Sequence, residues 1–318
     1  MNNNITRKIS VVLLSCFGLA VTACSDSGSV TSVPDDASTL TLSITDAPLD
    51  NVVKVYLQIR GLEIKSEKGV VTTIDFDTPI DLDVLSLNAE KRADILVNEL
   101  LTAGTYESIR LLVNAEQGEP NSRVLLSDNS WQSLYIPSES KVGLKIEQSF
   151  KIDRRRNTHL TIDIDLKKSL TKENNEDDYR FTPSLRMVEE YKFAHIKGII
   201  DNDLFDDGDN CVDRSGDLPQ AVGAVYIYSE LDEGSEPQDI QRTSSDPLAS
   251  TNIDFDEERG EFHYTLGYMP IDATYSLALV CNAVIDNPAE EDDLEYLGEV
   301  QIITVDSDDT LELDFNSL

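Results

Sequence analysis

The chain has 318 residues and a formal net charge of −34, because 60 Asp and Glu residues outnumber 26 Lys and Arg residues. The acidic excess grows along the chain, and residues 192–318 hold 31 acidic side chains against 5 basic ones. A field of this sign and size repels nucleic-acid phosphates, so the composition excludes nucleic acid as a partner.

The N-terminus has the pattern of an export signal. Arg7 and Lys8 precede an apolar stretch that ends at Val21. At about 13 residues this stretch is the length of a signal h-region, whereas a membrane-spanning helix needs roughly 20 residues. We therefore expect residues 1–23 to be removed during export.

The end of this signal resembles the lipobox of bacterial lipoproteins. Val21-Thr22-Ala23-Cys24 places small residues before a cysteine. The resemblance implies that Cys24 becomes the lipidated N-terminus and carries fatty acyl chains such as palmitate. Ser25 stands where an aspartate would favour the inner membrane. We therefore expect an outer-membrane lipoprotein that faces either the periplasm or the outside.

Two cysteines remain once Cys16 leaves with the signal and Cys24 is lipidated. In an exported protein, a remaining pair such as Cys211 and Cys281 usually forms a disulfide. A pair of buried free thiols is the alternative. The sequence has no Cys-x-x-Cys spacing that would favour a metal site.

Residues 24–38 are mostly small and polar, which predicts a flexible spacer after Cys24. From residue 39 onward, apolar and polar residues alternate, as in strands with one buried face. The clearest first-half examples are residues 40–44, 53–59, 109–113, 144–146 and 160–166. Helical spacing of apolar residues predicts one short helix at 88–101.

The acidic half repeats the alternation. Strands are predicted at 196–200, 224–228, 262–266, 275–281, 299–305 and 310–315. Short strands separated by Gly, Pro, Asn and Asp clusters are typical of sandwiches. The sequence thus predicts a mainly β protein with two antiparallel β-sandwich domains of immunoglobulin-like or prealbumin-like type, at 39–191 and 192–318, and at most one short helix.

Several first-half motifs resemble a bacterial family known as domain of unknown function 4382 (DUF4382). They occur in the family's order over residues 39–190: Ser43-Ile44-Thr45-Asp46-Ala47-Pro48, Asp81-Leu82-Asp83-Val84-Leu85, Ala103-Gly104-Thr105-Tyr106, Ile164-Asp165-Leu166-Lys167-Lys168-Ser169 and Thr182-Pro183-Ser184-Leu185-Arg186. The family typically occurs in lipoproteins and brings no established activity. Residues 223–228 and 275–281 give the second half a fainter likeness to prealbumin-like or carboxypeptidase-regulatory modules.

The sequence offers few signs of catalysis. Its three histidines are far apart, and the zinc-protease, nucleophile-elbow, P-loop and dinucleotide motifs are absent. We therefore predict a non-enzymatic module for binding, adhesion or envelope structure, held at the membrane by its lipid and binding a protein or a glycan. The alternative is a hydrolase of envelope polysaccharide or another metal-dependent enzyme.

One acidic segment is the best candidate for a metal site. Residues 201–210 combine carboxylates with a glycine that permits a tight turn, although their spacing differs from an EF-hand. Calcium binding there competes with a simpler interpretation, a solvated acidic loop, and a second acidic turn lies at 290–293. The candidate ligands are Asp201, Asp203, Asp206, Asp207 and Asp209.

Overall fold

The computed structural model describes residues 37–316 apart from 48, 50–51, 88–89, 138–142, 173–177, 206–210, 214–219, 222 and 233. Cys24 and the predicted signal lie outside this range. Strand β1 already begins at Ala37, within the predicted spacer. The polar Ser38 gives no apolar signal, yet it is buried and its hydroxyl donates a hydrogen bond to the Asp153 carbonyl.

Among the described residues, thirteen strands form the first β unit, within residues 37–189. Their bounds are β1 (Ala37–Ala47), β2 (Val52–Ser66), β3 (Val71–Asp83), β4 (Ala93–Thr102), β5 (Gly104–Asn114), β6 (Arg123–Leu126), β7 (Trp131–Tyr135), β8 (Leu144–Ile146), β9 (Phe150–Ile152), β10 (Asn157–Asp165), β11 (Leu170–Thr171), β12 (Tyr179–Phe181) and β13 (Leu185–Glu189). One short α-helix, α1, spans Leu166–Ser169, and a 3-10 turn spans Val84–Leu87.

These strands form a sandwich of two sheets. A four-stranded sheet has the order β13-β10-β1-β4. A nine-stranded sheet has the order β11-β12-β7-β6-β2-β5-β8, with β3 also paired to β2 and β9 to β5. Alternation places the apolar residues of both sheets in one core, because successive side chains of a strand point to opposite faces. Its fully buried members include Leu40, Leu42, Ile44, Leu57, Ile59, Leu160, Ile162 and Ile164.

The helix predicted at 88–101 is wrong, because residues 93–102 form strand β4 beside β1. Asn98 has a φ of 53°, and the register with β1 shifts twice near Leu42. Such irregularities break the period of two. Their effect here is to space the apolar residues as in a helix, while Val97 is left 60% exposed.

Nine further strands form the second β unit, within residues 193–312. They are β14 (Phe193–Ile200), β15 (Val212–Asp213), β16 (Gln220–Ala221), β17 (Ala224–Ser229), β18 (Ala249–Asp256), β19 (Glu261–Pro270), β20 (Ala273–Val280), β21 (Tyr296–Val305) and β22 (Leu311–Glu312). Two 3-10 turns span Asn202–Phe205 and Ala283–Ile285. The main sheet has the order β21-β20-β17-β18-β19-β14-β22, and β15 pairs with β16.

Strand β18 joins the two layers of the second unit. Its residues 249–252 pair with β17, and its residues 253–256 pair with β19. A strand that changes layers in this way makes a corner of a sandwich. The layers enclose a separate core that contains the disulfide between Cys211 and Cys281, whose Cα atoms are 4.6 Å apart.

The two β units have separate cores, yet residues 35–318 form one compact unit. Tyr268 of the second unit donates its hydroxyl to the Glu90 carbonyl of the first at 2.9 Å. The mainly β prediction with one short helix is confirmed. Within the described residues, no helix is long and apolar enough to cross a membrane.

Candidate functional site

Motifs from distant parts of the sequence meet at the C-terminal ends of β1 and β10. The Asp46 carboxylate accepts a hydrogen bond from the Leu166 backbone N–H at 3.3 Å. The Asp165 backbone N–H donates to the Ser184 carbonyl at 3.1 Å, and the Ser169 hydroxyl oxygen accepts from the Ser184 N–H at 2.9 Å. Three segments that carry the resemblance to DUF4382 therefore brace one another here.

An open cleft of about 500 Å³ lies beside this cluster. One wall comes from residues 163–168 and 182–186 of the first β unit, and the other from the loop 242–248 of the second. A concave space of this size between two packed units is a usual place for a ligand. We call it the interunit cleft.

Asp165 is the most deeply buried carboxylate of the cleft wall, at 5% exposure. Its Oδ1 caps helix α1 by accepting the Lys168 N–H at 3.0 Å. Its Oδ2 accepts no hydrogen bond, and the closest cation is the Lys168 Nζ at 3.9 Å. Burial raises the pKa of Asp165, and the Lys168 charge opposes that effect.

Arg186 holds the two β units together at the edge of the cleft. Its Nε and Nη2 donate to Asp163 Oδ2 at 2.9 Å and 2.5 Å. Its Nη2 also lies 3.3 Å from the Gly267 carbonyl oxygen, and its Nη1 lies 3.1 Å from the Met269 sulfur. Arg186 and Asp163 thus form an ion pair between the neighbouring strands β13 and β10. Because all three guanidinium nitrogens are engaged, Arg186 is a structural residue.

Arg242 reaches the cleft from the opposite wall. It has a φ of 59°, and the Asp246 carboxylate accepts the N–H groups of residues 241–243 at 2.8–3.3 Å. Its Nη2 lies 3.4 Å from the Lys168 carbonyl oxygen. Partial shielding from water lowers the pKa of Arg242, and the nearby charge of Arg180 lowers it further. Asp246 thus braces the loop, and the loop carries a guanidinium to the first unit.

A second cluster consists of three carboxylates of the second unit, Asp239, Asp286 and Asp292. One oxygen from each lies within 4.8 Å of the others, as metal ligands would. Of these three residues, only Asp292 belongs to the acidic turn predicted at 290–293. Asp286 and Asp292 lie in the loop between β20 and β21, whereas Asp239 lies in the loop between β17 and β18, so no single sequence motif contains all three.

Hydrogen-bond donors already occupy this acidic cluster. Asp286 accepts the Tyr226 hydroxyl at 2.5 Å and the Ile240 N–H at 3.3 Å. Asp239 accepts the Asp292 N–H at 2.7 Å. Burial raises the pKa of Asp286 to about 6, although the Tyr226 hydrogen bond opposes the shift. The cluster is therefore a hydrogen-bonded core element, and a cation would have to displace these donors.

The acidic segment predicted for calcium is only partly described. Asp201 accepts the Asp203 N–H at 3.1 Å, so its carboxylate closes a local turn. Asp203 is exposed in the following 3-10 turn. The other three candidates, Asp206, Asp207 and Asp209, lie outside the described residues.

One group of side chains has the connectivity of a hydrolase triad. Ser43 Oγ lies 3.4 Å from His159 Nε2, and His159 Nδ1 lies 3.5 Å from Glu190 Oε2. However, Ser43 is fully buried, and its hydroxyl donates to Asp94 Oδ1 at 2.6 Å. In this arrangement the proton is directed away from the histidine, and a substrate carbonyl has no access to Oγ.

Comparison with known proteins gives a family match over part of the chain. The family model described as domain of unknown function (DUF4382) matches residues 37–183, and a further β region follows. No curated protein matches the chain. Among solved structures, the major pilin T-13 of Streptococcus pyogenes is 10% identical, with 88% of this chain and 99% of the pilin covered and a TM-score of 0.17. The pilus adhesin SpaC of Lactobacillus rhamnosus GG is also 10% identical, with 87% and 44% covered and a TM-score of 0.15.

Proposed function

We propose that this chain, whose residues 37–183 form a DUF4382 domain, is a lipid-anchored outer-membrane protein and a non-enzymatic binding module of the cell envelope. The observation that carries the proposal is the interunit cleft. The cleft is lined by the Arg242 guanidinium of one β unit and by Asp165, a buried acid, of the other. Both groups are held by local hydrogen bonds, which is the form of a preorganised binding site.

Two features support binding rather than catalysis. The His159 group, which has the connectivity of a triad, contains a serine with no exposed surface. The cleft itself is lined by carboxylates, cations and hydroxyls, and Arg186 and Asp163 already satisfy each other there. These groups can hold a ligand without a nucleophile aimed at it.

The proposed anchor gives the module its location. Cys24 follows the apolar signal, and residues 25–36 separate it from the first strand at Ala37. A chain of that length reaches at most about 40 Å at full extension. A lipid anchor with two or three acyl chains would hold the β units near the membrane surface.

Substitution of the cysteine tests the anchor. Cys24→Ser is expected to abolish incorporation of labelled palmitate and to remove the protein from the outer-membrane fraction. Cys16→Ser, which lies within the predicted signal, is the matched control and should leave both measurements unchanged. If Cys24→Ser remained acylated and in the outer membrane, the proposal would be wrong.

A further inference from the structure

We infer that the interunit cleft binds the carboxylate of a hydroxyl-rich ligand, of the class of a uronic acid residue in an acidic glycan. The inference rests on the proposed function, because it names the ligand of that binding module. It combines a free cation on one wall, an unsatisfied acceptor on the other, and the charge balance between them.

The cation is Arg242. Among the described residues, no carboxylate oxygen lies within ion-pair distance of its guanidinium, and its one side-chain hydrogen bond is the 3.4 Å contact with the Lys168 carbonyl. A guanidinium presents several N–H donors in one plane and therefore suits a carboxylate. The cleft thus offers an anion a favourable position within a strongly acidic protein.

The loop around Arg242 is built to hold this position. A non-glycine residue with a φ of 59° is in a strained conformation, and such conformations persist only where their surroundings enforce them. Here the Asp246 carboxylate accepts three successive backbone N–H groups and also the Thr243 hydroxyl at 2.8 Å. The Asp246 carboxylate is therefore occupied by hydrogen bonds within the loop, whereas the Arg242 side chain lines the cleft.

The unsatisfied acceptor is Asp165 Oδ2. It is buried and accepts no hydrogen bond, although buried polar atoms in folded proteins nearly always have a partner. Because this oxygen has almost no accessible surface, a ligand hydroxyl that supplies the missing donor has to displace part of the cleft wall. If the carboxyl is protonated, the same hydroxyl can accept its proton, so a hydroxyl satisfies both forms.

The charges of the wall favour a ligand with one negative charge. Lys168, Arg186 and Arg242 face three carboxylates, those of Asp163, Asp165 and Asp246. Arg186 is engaged by Asp163, and Lys168 lies 3.9 Å from Asp165, so among the described residues Arg242 is the cation of this lining without a carboxylate partner. A ligand carboxylate pairs with this one guanidinium, whereas a phosphate dianion would bring a second negative charge beside Asp163, Asp165 and Asp246. Hydroxyls and two prolines complete the lining and suit a sugar ring.

The test is a calorimetric titration of the full chain in detergent micelles with digalacturonate, its uncharged dimethyl ester and inorganic phosphate. We expect digalacturonate to bind at least tenfold more tightly than the other two. Arg242→Gln should weaken its binding at least tenfold. The matched control is Arg259→Gln, which removes an arginine that pairs with Asp256 away from the cleft, and it should change affinity less than twofold.

Asp165→Asn provides an independent variant, because it keeps an oxygen that can cap α1 but replaces the second oxygen by an amide donor. It should also weaken digalacturonate binding, and if it fails to fold, Arg242→Gln decides. Equal binding by the two arginine variants, equal binding of the ester, or tighter binding of phosphate would overturn the inference. Membrane release of Cys24→Ser tests the proposed anchor separately, so the two ideas can fail independently.

Discussion

Buried carboxylates of this acidic chain differ in the donors that surround them. Asp163 receives two hydrogen bonds from a guanidinium, whereas Asp165 receives one backbone N–H at a single oxygen. Asp286 receives a tyrosine hydroxyl and a backbone N–H. Since neutral donors stabilise a carboxylate less than a paired cation does, the protonation of Asp286 is coupled to folding near neutral pH.

Asp286 should give the protein a measurable pH dependence of stability. Its pKa is about 6 in the folded protein and close to 4 in the unfolded chain, so the folded state binds the proton more tightly. The free energy of unfolding should therefore rise as the pH falls from 7 to about 4.5. In Asp286→Asn this contribution should be absent, and urea unfolding at pH 7 and pH 5 measures the difference.

A general loss of charge repulsion on acidification would stabilise every variant. Glu291→Gln, which removes an exposed acid of the same loop, is therefore the control and should keep the pH dependence of the parent protein. If Asp286→Asn retained that dependence in full, Asp286 would not be the titrating group.

At the scale of elements, alternation predicts strands well where both faces are regular. It identifies the core strands β1, β2, β5 and β10, most of whose apolar residues are buried. It misses β3, because that strand lies at the surface and its side chains are mostly exposed. It misassigns β4, where irregular pairing near Asn98 changes the period. Local pattern therefore fails where an edge or a bulge decides which side chains are buried.

The candidate site, like the strands, could be predicted from the sequence only in part. The pairing of Cys211 with Cys281 could be predicted, because they are the two cysteines that remain in the expected mature chain. The cleft could not, because Arg242 and Asp165 belong to different β units and meet only through the packing of those units. Neither residue stands in a recognisable ligand-binding motif.

The C-terminal strand β22 depends on a close approach at Gly198. The Leu313 N–H donates to the Lys197 carbonyl at 2.9 Å, and a methyl group at Gly198 would overlap the Leu313 carbonyl oxygen. Gly198→Ala should therefore displace β22 and cost about 1–3 kcal/mol of stability. Hydrogen exchange should show faster exchange of the Leu313 and Phe315 amides.

Gly234→Ala separates this overlap from ordinary backbone strain. Gly234 has a φ of 84°, but a methyl group there would meet nothing within 4 Å. The variant should lose some stability and leave exchange at residues 313–315 unchanged. If Gly198→Ala also left this exchange unchanged, the close approach would not limit the strand.

At the scale of the whole molecule, the two β units have very different charge. The acids of the second unit far outnumber its bases, yet Gly267 and Met269 of that unit contact a guanidinium of the first. Arg186 therefore joins a buried ion pair within one unit to the backbone of the other. The position of the interunit cleft depends on this contact, because the cleft has one wall from each unit.

Loss of Arg186 should therefore lower the free energy of unfolding strongly. Arg186→Met leaves the Asp163 carboxylate, 8% exposed, without its cation, and we expect a loss of about 3 kcal/mol in the free energy of unfolding. Asp163→Asn combined with Arg186→Met should lose less than Arg186→Met alone, because no buried charge remains. Arg110→Met, which breaks the more exposed pair with Glu63, should cost less than about 1 kcal/mol. Urea unfolding of the parent protein, Asp163→Asn, Arg186→Met and the double variant gives the coupling energy of the pair. Equal losses for Arg186→Met and Arg110→Met would contradict a buried pair that fixes the interface.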